Sequence, residues 1–141
     1  MTPSYYLEDL TIGMTANLSK TITATDIALY ADVSSDTNPV HLDENFAKNT
    51  IFKKPIAHGL LSAGLISAVF GTKLPGPGAI YIMQNLKFKA PVYIGDTVTA
   101  TVTVTGIDQE KARVSFETIC TVGQTVVIAG DAQLMVPRKS K

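Results

Sequence analysis

The sequence predicts an α+β fold in which one long antiparallel β-sheet wraps around a single central helix. Two observations carry that expectation. The segment "GLLSAGLISAVFG", residues 59–71, has apolar residues all round rather than along one stripe, which marks a helix enclosed by other structure. The second half of the chain then reads as four long β-type segments joined by short turns, the pattern of antiparallel pairs.

Taken in order, "IGMTANLSKTIT" supplies a first strand. Thr25 is expected to cap a short helix over "DIALYADVS", with Asp26 in the first turn, where the helix dipole favours a negative charge. A second short helix is expected at "ENFAKN", capped by Asp43, and Pro55 breaks any helix begun earlier. After the central helix, "LPGPG" can only be a loop. "DTVTATVTVT" alternates strictly, with Val98, Ala100, Val102 and Val104 on one face and threonines on the other, as a half-buried strand requires. "IYIMQNLKFK", "ARVSFETICTV" and "TVVIAGDAQLMV" are strands of similar length, with turns at "APVYIGD", "GIDQEK" and "VGQ". Cys120 falls in phase with Val114, Phe116 and Val122 and is read as a small buried hydrophobe. A helix inside a curled antiparallel sheet is the arrangement called the hot dog. A single curled sheet leaves its edges open, and pairing with a second copy of the chain would close one.

The 141 residues, 15.0 kDa, are expected to form one domain over 1–141, large enough to fold without disulfides or a structural metal. Twelve Lys+Arg balance twelve Asp+Glu, and neither sign forms a block, so no nucleic-acid patch or acidic tail is expected. The basic residues of the terminal "PRKSK" are expected to form a solvated end. One cysteine leaves no intrachain disulfide and no thiol cluster for zinc, which favours a reducing, cytoplasmic compartment. "MTPSYYLEDL" lacks the basic start and apolar core of a secretory signal, and the uncharged run from Gly59 to Thr72 falls short of the roughly 20 residues of a bilayer span. No membrane partner is expected.

The chemistry is concentrated in "SSDTNPVHLDENFA", residues 34–47. Pro39 fixes its own φ and pushes Asn38 away from the α region, so a stiff extended or turn segment is expected, able to aim side chains at one point. A carboxylate at Asp36 and an imidazole at His41 converging on one water would make an acid/base pair, which Asn38 could orient through its amide. Asp-Thr-Asn-Pro is equally a good turn sequence, in which Asp36 or Asn38 only hydrogen-bonds the local backbone. Asp36, His41, Asp43 and His58 do not form a recognised metal-ligand spacing. Gly59 begins the central helix, where backbone N–H groups lack intrahelical partners. A substrate carbonyl placed there would find an oxyanion hole, and the missing Cβ would let it approach closely. The alternative is that Gly59 only permits tight packing. His58 is read as structural or supporting.

"SSDTNPVHLDENFA" resembles the signature of the MaoC-like, or (R)-specific, enoyl-CoA hydratases, also called hydratase 2, with its Asp-x-Asn-Pro-x-His core and a small residue, here Ala47, further on. "KKPIAHGLLSAGLIS" and "LKFKAPVYIGDTVTATVTV" are also similar to that family, so the resemblance spans nearly the whole chain, and the length and "LPGPGAIYIMQNLKFKAPV" most resemble its short bacterial, polyhydroxyalkanoate-associated type. The resemblance implies a hot-dog homodimer and reversible syn hydration of trans-2-enoyl-CoA to (R)-3-hydroxyacyl-CoA. It implies that Asp36 and His41 hold the water and share the proton transfers, that Asn38 orients them, and that the Gly59 amide binds the thioester oxygen. By the same analogy Ser67, or less so Ser62, hydrogen-bonds the aspartate. Ser35 departs from the family, where many members have glycine, which leaves the local turn geometry open. No metal or organic cofactor is implied, because CoA enters as part of the substrate. Lys87 and Lys89 are either contacts for CoA phosphates or solvated charges. Leu65, Ile66, Val69 and Phe70 are the expected determinants of acyl-chain length, with Phe70 capping the pocket. An acyl-carrier-protein dehydratase or a thioesterase on the same fold remains the alternative, and a non-catalytic acyl-CoA-binding module a further one.

Overall fold

The structure is a computed structural model that describes residues 4–140. A 3₁₀ turn at Leu7–Asp9 precedes β1 (Thr15–Thr21), α1 (Ala24–Ser34), α2 (Pro39–Leu42), α3 (Glu44–Lys48) and α4 (Gly59–Thr72). Four strands follow, β2 (Ile80–Phe88), β3 (Thr97–Asp108), β4 (Arg113–Val122) and β5 (Thr125–Met135). They form one antiparallel sheet with β1 in the order β1-β3-β4-β5-β2. The expected α+β architecture is present. None of the described helices is long and apolar enough to cross a membrane.

The alternation in β3 does what its sequence demands. Val98, Ala100, Val102 and Val104 are buried against α4, while the threonines of the other face meet β1 in hydroxyl pairs, Ser19 with Thr99 and Thr21 with Thr97, each at 2.7 Å. In β4, Val114, Phe116, Thr118 and Cys120 are buried in the same phase. Phe116 packs edge-on against Phe70 of α4, with ring centroids 4.8 Å apart. Thr118 is the polar member of that row, and its Oγ1 accepts from Gln84 Nε2 at 2.8 Å. Burial pushes the Cys120 thiol up to about 11, so it remains a protonated core group.

Several local expectations need correction. Thr23, not Thr25, caps α1: its Oγ1 accepts from Asp26 N at 3.0 Å, and Asp26 Oδ2 accepts from Thr23 N at 2.9 Å. That reciprocal box holds the Asp26 carboxyl below its ordinary value, chiefly through the Thr23 backbone N–H. "APVYIGD" is not a hairpin turn. It carries the chain from β2, at one sheet edge, across to β3, because β2 pairs with β5 instead. On the way Ala57 N donates to Val92 O at 2.7 Å, and Ile56 bridges Tyr93, which ties this crossover to the segment entering α4. Within the single chain α4 is not fully enclosed: Leu60, Gly64 and Ser67 lie exposed along one side. The basic end is solvated but anchored, since Lys139 Nζ lies 2.8 Å from Asp9 Oδ1 and Arg138 donates to Glu110 O. Lys141 lies outside the described residues.

Candidate active site

The segment after α1 is shaped by its own side chains. Ser35 ends α1 in the left-handed region, φ 66° and ψ 12°, which glycine adopts without the penalty a Cβ brings. Ser35 is therefore tolerated at a strained position, and the turn is kept. Of the expected extended or turn segment, the turn is what forms, as a cap followed by one helical turn: Asn38 stays out of the α region at ψ 124°, and Pro39 starts α2 at a position that needs no N–H. Both turn-forming bonds are present, with Asp36 Oδ1 accepting from Asn38 N at 3.3 Å and Asn38 Oδ1 from Val40 N at 3.1 Å. Asp43 caps α3 as expected, accepting from Asn45 N and Phe46 N. Asn38 thus shapes the backbone of α2 that it caps.

His41 lies in α2, half-buried, with Nδ1 2.8 Å from Ile56 O. A carbonyl oxygen can only accept, so Nδ1 donates and the neutral ring keeps its lone pair on Nε2. His58 is bonded the same way through its other nitrogen, with Nε2 donating to Asp36 O at 2.9 Å. The two imidazoles stack, with centroids 3.8 Å apart and planes 27° apart. Ligand atoms of Asp36, His41 and His58 all lie within 4.8 Å of one another, although the sequence spacing gave no sign of it. Stacked rings send their in-plane lone pairs along nearly parallel planes. Meeting one ion at ~2 Å would require them to unstack, so the cluster suits proton transfer better than chelation.

These residues line a cavity of about 440 Å³ together with Gly59, the first residue of α4. The Gly59 N–H has no intrahelical acceptor, and among the described residues it donates to none. A Cβ at Gly59 would stand 2.5 Å from the Phe88 ring, so close packing and backbone access both depend on this glycine. The cavity is mostly apolar, with Phe52, Ile56, Val92, Phe88 and Ile128 among its walls. None of these was legible as a site residue, because β2, β5, the crossover and the segment before α4 meet there only once the chain is folded. Lys89 also lines the cavity, whereas Lys87 does not.

Of the expected serine and acyl-pocket residues, the structure brings only Ser62 to this cavity. Ser62, 1 % exposed, lines this cavity, and its Oγ has no partner. Ser67 opens onto a separate groove with Leu60, Gly64, Tyr81 and Gln84, away from Asp36. Ile66, Val69 and Phe70 are core residues, and Leu65 packs against that core; none of the four lines the Asp36 cavity. Ile66 and Phe70 lie within about 20° of Gly59 in helical phase, so it is their distance along α4, about 10 Å and about 16 Å, that separates them from the cavity.

A carboxylate and an imidazole that share an apolar cavity with a free helix-start amide, in a chain whose sheet wraps around that helix, define a hot-dog protein equipped for acid/base chemistry on a carbonyl compound. Residues 10–128 match the family model described as the MaoC like domain, and the chain belongs to that family. It is 62% identical over 135 residues to an (R)-specific enoyl-CoA hydratase of Rhodospirillum rubrum, covering 96% of this chain and 94% of the relative. A 3-hydroxybutyryl-CoA dehydratase of Methylorubrum extorquens is 49% identical over 136 residues, 96% of this chain and 87% of the relative. The solved structure of an (R)-hydratase from A. caviae involved in PHA biosynthesis superposes with a TM-score of 0.89 at 42% identity, covering 92% of this chain and 99% of that one.

Proposed function

We propose that this protein is an (R)-specific enoyl-CoA hydratase, a hydro-lyase that reversibly adds water to trans-2-enoyl-CoA and forms (R)-3-hydroxyacyl-CoA. The observation that carries the reading is the placement of Asp36 and His41 in one cavity with the unpartnered Gly59 N–H. A thioester oxygen at the start of α4 accepts from the Gly59 amide, which lowers the energy of the enolate formed as the β-carbon is attacked; such a donor is typically worth about 3 kcal/mol. Asp36 and His41 hold the water between them. One removes its proton as the hydroxyl adds to the β-carbon, and a proton is delivered to the α-carbon from the same side. His41 Nε2 is the free nitrogen for this exchange, since Nδ1 is engaged by Ile56 O.

No metal or organic cofactor is needed in this proposal: the thioester acidifies the α-position, and CoA acts only as part of the substrate. Lys89, on the cavity wall, is the cation placed to meet an acidic portion of the carrier. The proposed assembly is a homodimer through β2, an edge strand whose Ile80, Tyr81, Ile82, Met83 and Phe88 are each at least 40% exposed. We place the enzyme in the cytoplasm, where its free buried thiol Cys120 suits a reducing environment.

Incubation with crotonyl-CoA, following loss of the enoyl absorbance and resolving the product's configuration, tests the function. Formation of (R)-3-hydroxybutyryl-CoA is expected. Release of free CoA without hydration would instead indicate a thioesterase, activity only on the acyl-carrier-protein substrate would indicate a dehydratase of that class, and binding without turnover would indicate a non-catalytic module.

A further inference from the structure

His58 takes no part in the proposed reaction, yet it is 2 % exposed and forms part of the cavity wall. Its Nε2–H donates to the backbone carbonyl of Asp36 at 2.9 Å, while the face of its ring lies 3.8 Å from His41, centroid to centroid. Tyr30 of α1 packs on the same imidazole at 4.7 Å. Asp36 sits outside any helix or strand, just after a left-handed residue, and its backbone is held by side chains at both ends: Ser34 Oγ accepts from its N–H at 3.1 Å, and His58 donates to its carbonyl. His58 is also joined by one peptide bond to Gly59, whose amide faces the substrate oxygen in the proposed reaction.

We infer that His58 is a positioning residue, which fixes the separation and mutual orientation of Asp36, His41 and the Gly59 amide by clamping the Asp36 carbonyl and bracing the His41 ring. The inference rests on the hydratase reading. It goes beyond that reading by assigning to one buried side chain the geometry on which all three reacting groups depend. Orientation errors of about 1 Å typically cost a hundredfold in rate without a matching loss of binding. The role therefore predicts a loss in kcat with KM preserved.

Two variants separate the bond from the packing. His58→Phe keeps an aromatic ring against His41 and Tyr30 but removes the donor to Asp36 O. His58→Gln places an amide N–H within reach of that carbonyl. With crotonyl-CoA, His58→Phe is expected to lose about tenfold to a hundredfold in kcat with KM within about threefold, and His58→Gln to recover most of that loss. A His58→Phe enzyme within about twofold of wild-type kcat, a loss confined to KM, or a His58→Gln enzyme as slow as His58→Phe would overturn the inference. Imidazole ¹⁵N shifts of the wild-type protein supply a measurement independent of folding in the variants. They are expected to report His58 with its hydrogen on Nε2, and a hydrogen on Nδ1 alone would overturn the clamp. Wild-type protein that fails to hydrate crotonyl-CoA would refute the functional reading, and the ¹⁵N measurement would still decide whether the clamp exists.

Discussion

At the scale of single residues, the proposed chemistry rests on two side chains whose environments differ. Asp36 is exposed and held by turn bonds, whereas His41 is half-buried and fixed by one bond from Nδ1. Asp36→Asn keeps an oxygen for the Asn38 N–H, and His41→Gln keeps a polar group of similar reach, so neither change removes core packing. Each is expected to lower kcat by at least about a hundredfold, the usual contribution of a positioned proton-transfer group, with melting temperatures near wild type. The double variant should be little slower than the worse single one, because groups that act on one water fail together. Near-normal turnover in either single variant would remove that residue from the mechanism. The pair was legible in the sequence because only four residues separate its parts and a proline stiffens the turn between them. The serine was not. On a helix of 3.6 residues per turn, Ser62 lies about 60° to one side of Gly59 and Ser67 about 80° to the other, so spacing alone left open which side faces Asp36.

At the scale of elements, strand limits were readable and strand partners were not. Alternation in β3 marks a half-buried strand whatever its neighbours, but β2 could equally pair with β3, its successor. It pairs with β5, and that choice carries Phe88 and Lys89 to the cavity. Gly130 of β5 shows how close this pairing is. A Cβ there would collide with the backbone carbonyl oxygen of Asn85 in β2 and lie 2.7 Å from its carbonyl carbon. Main chain within a sheet cannot swing aside as a side-chain tip can, so Gly130→Ala is expected to destabilise the fold by about 3 kcal/mol, at the upper end of ordinary overpacking. Urea denaturation of the two proteins measures the difference. Unchanged stability would mean that β2 and β5 do not meet in the register described, and the cavity wall built on it would be misplaced. The 3₁₀ turn before β1 and the anchored C-terminus show the complementary case. Asp9 and Lys139 lie far apart in the sequence and pair only once the sheet has brought the two ends of the chain together.

At the scale of the whole molecule, the two edges of the sheet are unlike. β1 presents Asn17, Ser19, Lys20 and threonines, polar groups that discourage pairing with another chain. β2 presents an apolar run, and beside it the exposed side of α4 forms a groove from Leu60 and Gly64 to Tyr81 and Met83. The two features are continuous, so a second copy laid antiparallel along β2 would extend the sheet and cover the groove at once. A charge introduced there would have to be buried without a partner. In sedimentation velocity the wild-type protein is accordingly expected at twice its 15.0 kDa chain mass, and Ile82→Glu at the single-chain mass. Leu60 and Phe88, which line the Asp36 cavity, are also exposed, so the same variant is expected to lose turnover along with assembly. Stable interfaces bury on the order of 800 Å² per partner, and a pairing of that kind is to be looked for at micromolar concentration. A wild-type chain that sediments as a monomer at that concentration would refute the pairing. An Ile82→Glu monomer with full activity would leave the pairing intact and show that each cavity is complete within one chain.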